Sequence, residues 1–558
     1  MENHKNIGIL FERDVFFLTK FNKEDIIMLY YLRISIGEGV NVMQTTMTWR
    51  EERIFPAFTY NGAILDAVES TSMKRDEQLA LASLQGIVNR REVRLMILDM
   101  HTDEGSETWI KTLGYPYQRT DFLSVFKKYV HEIGGAVLYD ARISPHYINL
   151  ACTAASTQNA VPMTERLWGY LMGEGVILPV VEDLTTFTMT AAEEIYTYAY
   201  NKYWQKNTHR LIVSQAPHEV YHLRDLVAAA GCAVVFCENR REEERLVYEK
   251  FLADMEPGKA IAIGWYTEER SGITTATAFG LSTVPGDLFS NFTVFASEKE
   301  VIIPEEPPLP EVEDKMYVAL FASDGDNIQY VQRYMRKLWD ATQNDRGKVS
   351  INWTISPSLA DTAPDILQYY YDTATEKDCL VSGPSGLGYA MPVNTLAEEI
   401  EAKNYVRDDE NFAKYAALSN RYFERSGLRA VTVWDNMTEN QRKLYAENAP
   451  YLYGMTVQLF TDDRESISSW EGKMPIKQLT PCYTCTVEHM MSVLTREVEA
   501  WDKKSPKFMA AQFSVWGKIR VSDFAEIEKK MKELTDGRFE FVRADTFFCL
   551  YRQNHRSF

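Results

Sequence analysis

From Trp49 onward, short apolar runs alternate with stretches of helical period. Between Asp76 and Asn89, Leu79, Leu84 and Val88 fall near one face of a helix, and the run from Arg94 to Asp99 (RLMILD) reads as a buried strand. The rhythm then repeats. A helix over 121–133 leads into a strand at Ala136–Asp140, followed by helices near 148–158 and 163–171 and the apolar run Val176–Val181. A third unit gives helix 192–204, strand Arg210–Ser214, helix His218–Ala230, strand Cys232–Phe236, helix 241–254 and strand Ala260–Trp265. Strands alternating with helices imply parallel sheets covered by helices. The expected division is therefore an unassigned leader at 1–48 and small α/β domains at 49–120, 121–205 and 206–300.

Residues 301–314 (VIIPEEPPLPEVED) concentrate proline and acid and read as a semi-rigid linker. Beyond it, strands are expected at Met316–Ala322, Val349–Ser356, Cys379–Ser382, Arg429–Trp434, Gly454–Phe460, Ile476–Leu479, Phe508–Phe513 and Phe539–Val542, with helical stretches between most of them. That rhythm over 315–558 is the size and order of a (β/α)8 barrel. The span 461–475 is too short for a full crossover helix, so the barrel is expected to be irregular. The fold class is thus α/β: small amino-terminal α/β domains followed by a (β/α)8-like barrel.

Composition narrows the function. A net charge of −19 excludes nucleic acid as the main partner, since phosphate binding rests on clustered Lys and Arg. The apolar run Ile26–Leu32 is far shorter than the roughly 20 residues that span a bilayer, so no membrane partner is expected. It follows Glu24 and Asp25 and lacks a cleavage site, so the chain as written reads as cytoplasmic; Met43 and Met47 are alternative starts, and neither supplies an export signal. Seven scattered cysteines suit reduced thiols, and the lone CxxC of Cys482 and Cys485 has no second pair to complete a zinc site. No GxGxxG follows a strand and there is no P-loop, so no cofactor is expected.

In a barrel the chemistry collects at the carboxyl ends of the strands. There the sequence places Asp324-Gly325-Asp326-Asn327, Ser356-Pro357-Ser358, the loop Gly383–Pro392 (GPSGLGYAMP), Trp434-Asp435-Asn436, Thr461-Asp462-Asp463-Arg464 and Trp516-Gly517-Lys518, while the eighth strand runs into Arg543 and Asp545. Paired carboxylates are what glycosidic hydrolysis needs, one as acid and one as base or nucleophile. Asp324 and Asp326 are the first candidates, Asp435 the cross-barrel partner, and Asp462 and Asp463 the reserve. Asp326 or Asn327 could equally cap the following helix. Trp353, Tyr389, Trp434 and Trp516 offer rings for stacking on a pyranose, and Ser385, Gly386 and Gly388 shape the loop beside them. The segment His218-Glu219-Val220-Tyr221-His222 matches HExxH, but Pro217, Arg224 and the lack of a third ligand oppose a zinc site, so no metal is assigned.

With these motifs placed, the chain resembles the GxGYxYP family of glycoside hydrolases. The resemblance rests on GLGYAMP (386–392), FASDGDNIQY (321–330), SLQGIVNR (83–90) and VRADTFF (542–548), in that family's order. It implies small amino-terminal domains, a catalytic-type carboxyl-terminal domain, a glycan substrate and frequent export of related proteins. Met391 departs from the name motif, which has tyrosine at that place. The leading expectation is a glycosidase acting on an oligosaccharide; the alternatives are a carbohydrate-binding or scaffolding protein and a metal-dependent carbohydrate deacetylase.

Overall fold

The computed structural model describes residues 7–11, 14–18, 46–99, 105–392, 409–434, 437–459 and 474–555. Of the expected site residues, Asp435, Asp462 and Asp463 lie outside the described residues. The segment before residue 46 is a separate unit, in which Ile7–Phe11 pairs antiparallel with Asp14–Leu18.

In the main unit, three small parallel sheets precede the barrel. The first sets Leu65–Glu69 between Leu95–Leu98 and Tyr117–Thr120. The second sets Gly135–Leu138 between Ala160–Met163 and Val180–Asp183. The third has four strands in the order Ala233–Val235, Leu211–Ser214, Ile261–Gly264 and Thr283–Pro285. Leu65–Glu69, Tyr117–Thr120, Ala160–Met163 and Thr283–Pro285 escaped the sequence reading because each is only three to five residues long and too short to show a period.

The eight barrel strands are β1 (Met316–Ala322), β2 (Ile351–Ile355), β3 (Asp378–Ser382), β4 (Ala430–Trp434), β5 (Gly454–Gln458), β6 (Ile476–Gln478), β7 (Lys507–Phe513) and β8 (Phe539–Val542). The first seven run parallel in the order β6-β5-β4-β3-β2-β1-β7. The ring is nearly closed between β6 and β7, where the Thr480 amide donates to the Ala510 carbonyl at 2.8 Å and the Gln512 amide to the Pro481 carbonyl at 2.9 Å. Alternate residues of β1 serve two apolar clusters, Val318, Leu320 and Ala322 in one and Tyr317, Ala319 and Phe321 in the other, as the twofold period of a strand requires.

The irregularity lies in β8. In a regular barrel the eighth strand would separate the seventh from the first; here β7 pairs β1 along its whole length, and β8 pairs the lower half of β1 on the other side. The upper end of β1 there belongs to β2, with Phe321 opposite Asn352. Asn352 holds the fork: its side-chain amide donates to the Leu320 carbonyl at 3.1 Å and the Val542 carbonyl at 3.3 Å. Because β8 stops opposite Ala319, Arg543 and Asp545 do not reach the rim. Arg543 pairs with Asp545 at 2.6 Å and donates to the carbonyl of Asp378, the first residue of β3, so this pair fastens the foot of the barrel.

The expected helix over His218–Ala230 begins only at Arg224. The buried Arg224 guanidinium donates to the carbonyls of Glu219 and Ala216 and to Asn149 Oδ1, taking acceptors that a helix would give to its own amides. His222 is buried, with Nδ1 at 2.9 Å from Glu219 Oε2 and Nε2 at 3.1 Å from the Arg333 guanidinium. The two histidines therefore do not share a helical face. Among the described residues no group of three or more His, Cys, Asp or Glu side chains could hold a metal ion, and no helix is long and apolar enough to cross a membrane.

Candidate active site between the third sheet and the barrel rim

The turn after β1 carries the first carboxylates. Asp324 sits at φ 72°, in the left-handed region, and its carboxylate accepts the Tyr483 hydroxyl at 2.9 and 2.7 Å and also the Ser323 hydroxyl. Tyr483, in the segment after β6, is itself at φ 53°. A non-glycine residue in this region costs about 1–2 kcal/mol, and here the two such residues are joined by a hydrogen bond. Strain of that kind persists where surrounding structure enforces it, typically at functional sites. Gly325 allows the turn to press against β2: any Cβ there would stand 1.5 Å from the Thr354 carbonyl oxygen.

Asp326 follows, half-buried at the mouth of the barrel. Its pKa is pushed well above the ordinary carboxyl value, first by the protein packed around it and then by the charges of Asp324 and Glu269. No described residue other than Asp326 itself donates a hydrogen bond that would hold the carboxylate charged. Asn327 caps the short helix Ile328–Gln332 through its side-chain oxygen and the Tyr330 amide at 3.1 Å.

The glycine-rich loop after β3 does more than shape a wall. Tyr389 exchanges two backbone hydrogen bonds with Thr283, at 3.0 and 2.6 Å, and so adds an antiparallel rung to the edge of the third small sheet. The Ser282 hydroxyl donates to the Leu387 carbonyl beside it. Ser385 is buried and secures the loop from within: its hydroxyl donates to the Ala390 carbonyl at 2.7 Å and accepts the Trp434 amide at 2.9 Å. Gly386 and Gly388 fit against Ser419 and Ser282 respectively. Met391, at the altered motif position, is buried in the same contact, with its amide on the Thr277 hydroxyl at 3.2 Å.

This clasp carries the Tyr389 ring to the third sheet's chemistry. Its hydroxyl donates to Glu269 Oε1 at 2.9 Å, its ring lies 6.4 Å from Trp265 at an interplanar angle of 23°, and Trp434 meets it edge-on at 5.8 Å. Glu269 opens the helix Glu269–Ala278 that follows strand Ile261–Gly264. It is open to solvent, yet protein atoms crowd its carboxyl and raise its pKa, with the Tyr389 hydrogen bond working the other way and the charges of Glu268 and Asp324 adding to the rise. Trp265 and Glu269 were missed because the strand-end rule was applied to the barrel alone; GWYTEER follows a buried strand just as FASDGDN does. Tyr483, in PCYTC, carried no pattern to find it by.

Of the other two expected tryptophans, Trp353 lies in the core and Trp516 stands beside the turn after β1. Trp353 is 1% exposed and packed against Trp339 at 5.3 Å, with its indole N–H on Asp378 Oδ1 at 2.8 Å, so it belongs to the layer between strands and helices. Trp516 is 55% exposed and stacks on Tyr334 at 4.5 Å. It also meets Tyr330 at 5.5 Å, whose hydroxyl is buried without a hydrogen-bond partner and within electrostatic reach of Asp324.

Three family models match the chain: the "GxGYxYP putative glycoside hydrolase C-terminal domain" over residues 314–552, the "GxGYxYP third domain" over 209–297 and the "GxGYxYP_N second domain" over 133–207. The chain belongs to the GxGYxYP family. Among solved structures, one titled "Crystal structure of a putative hydrolase from Bacteroides thetaiotaomicron VPI-5482" has a TM-score of 0.74 at 20% identity, covering 90% of this chain and 97% of that one. It shares the fold. A "probable Polysaccharide deacetylase from Pseudomonas aeruginosa PAO1" covers 45% of this chain and 95% of its own at 11% identity, with a TM-score of 0.29, too low to indicate a common fold. No curated protein matches the sequence.

Proposed function

We propose that this GxGYxYP protein is a glycoside hydrolase in which Asp326 is the general acid. The observation that carries the reading is the seating of Asp326, half-buried on the turn after β1 and pressed against Gly383; burial and the neighbouring charges of Asp324 and Glu269 push its pKa up, the direction a proton donor needs. In this reading the proton passes to the glycosidic oxygen as its bond to the anomeric carbon breaks. Asp324, fixed by Tyr483 and Ser323, supplies negative charge beside the oxocarbenium-like centre. Trp265 and Trp434, both half-buried, offer the apolar surface on which a sugar ring would stack, whereas Tyr389, only 3% exposed, is buried between them and does not serve as the stacking ring expected of it.

The test is hydrolysis of a glycan panel by wild type and Asp326→Asn. The variant should lose roughly 10²–10⁴-fold on natural glycans, the usual worth of a general acid, and much less on aryl glycosides whose leaving group needs no proton. Equal turnover of natural glycans by both proteins would refute the assignment.

A further inference from the structure

We infer that Glu269, contributed by the third small α/β sheet rather than by the barrel, is the catalytic base that activates the attacking water. This rests on the glycosidase reading above, and it goes beyond the aspartates of the DGDN turn. The acid and the base must approach the anomeric centre from opposite faces of the sugar. Asp324 and Asp326 are two residues apart on one turn and approach from the barrel side. Glu269 comes from a different sheet, at the carboxyl end of its strand, where parallel sheets place ligand-binding groups.

Two further features suit Glu269 to the role. Its Oε1 is aimed by the Tyr389 hydroxyl at 2.9 Å, and the residue is exposed, so water reaches it. Trp265 lies four residues before it on the same strand end and near-parallel to the Tyr389 ring, so the carboxyl and an aromatic face are delivered together. The orientation of Glu269 against the rim is held by the two Thr283–Tyr389 backbone hydrogen bonds.

The proposed step balances. The Glu269 carboxylate takes one proton from water as the water oxygen bonds to the anomeric carbon, and the Asp326 proton goes to the departing glycosidic oxygen. One water is consumed, one C–O bond breaks and one forms. The two carboxyls exchange protonation states and are reset by solvent, and the new hemiacetal has inverted configuration.

The full chain is used for the test, with the glycan that wild type cleaves fastest. Glu269→Gln should lower kcat at least about 10³-fold with KM within threefold and an unchanged melting temperature, and proton NMR of the wild-type reaction should show the inverted anomer first. With an activated glycosyl fluoride, azide should restore turnover to Glu269→Ala and give the inverted glycosyl azide, while leaving Asp326→Asn without rescue. If a Gln or Ala variant fails to fold, the product anomer of the wild type and the rescue of Glu269→Asp decide instead. Glu269→Gln retaining a tenth or more of wild-type kcat while Asp326→Asn is inactive overturns this inference and leaves the glycosidase reading standing. A retained anomer also overturns it, and full activity in both variants overturns the glycosidase reading itself.

Discussion

Gly383 lies so close to Asp326 that a Cβ on the glycine would stand 2.7 Å from the Asp326 Cβ and 2.8 Å from its amide nitrogen. The absence of a side chain at the exit of β3 is thus what lets the turn after β1 seat its second carboxyl at the barrel mouth. Gly383→Ala should cost about 1–3 kcal/mol of stability, the range for overpacking. It should lower kcat/KM by roughly 10²-fold, since a displacement near 1 Å at a reacting group has that effect. Thermal unfolding and steady-state kinetics on one preparation check both; an unchanged kcat/KM would show that Asp326 need not sit where it does.

The pH profile tests the charge coupling. Asp324 raises the pKa of Asp326 and of Glu269, so Asp324→Asn should move both limbs of the kcat/KM profile to lower pH. Tyr389 lowers the pKa of Glu269 by donating to its carboxylate, so Tyr389→Phe should move the acid limb alone to higher pH. A Tyr389→Phe profile that overlays the wild type would separate the hydrogen bond from catalysis.

The tryptophans should divide by location. Trp353→Phe removes a buried donor from Asp378 and should cost about 1–3 kcal/mol of stability without changing KM. Trp434→Ala and Trp265→Ala should raise KM by roughly tenfold, about the worth of an aromatic contact. Calorimetric unfolding alongside KM measurements distinguishes the two groups, and a KM effect at Trp353 would contradict its place in the core.

Asp225 gives a stability prediction far from the cleft. It is fully buried, accepts the Thr293 amide at 2.8 Å and hydroxyl at 2.9 Å, leaves Oδ1 without a partner, and has its pKa pushed up to about 6 by burial. A pKa raised on folding means that its contribution is fully present below the unfolded value of 3.8 and is lost as pH rises through about 6. Wild type should therefore lose stability relative to Asp225→Asn between pH 4 and 6, by about 3 kcal/mol at most. Denaturant unfolding of both proteins at those two pH values measures it, and parallel curves would remove Asp225 from the pH response.

The barrel was legible because its strands are continuous apolar runs: Met316–Ala322 and Phe539–Val542 fall where the sequence put them. Their pairing was not, because strand order depends on which edges meet. Nothing in FEFV announces that it will sit beneath β2 instead of between β7 and β1. The same limit governed the site. The DGDN turn and the glycine loop could be read as strand-end features, whereas the partner of Tyr389 could not, since Glu269 is 120 residues away and joined to it only by docking of one sheet on another. The helix expected over HEVYH failed for a different reason, its helical spacing cancelled by a buried arginine that captures the local carbonyls.

The rung between Thr283 and Tyr389 also bears on how such proteins can be recombined. A barrel grafted onto another member's amino-terminal half would keep every backbone donor and acceptor of that rung, because main-chain pairing ignores side-chain identity. The residue opposite the tyrosine hydroxyl, in contrast, would be supplied by the other chain. Chimeras cut at the linker should therefore assemble readily, yet turn over substrate only where the amino-terminal half brings a carboxylate to that hydroxyl.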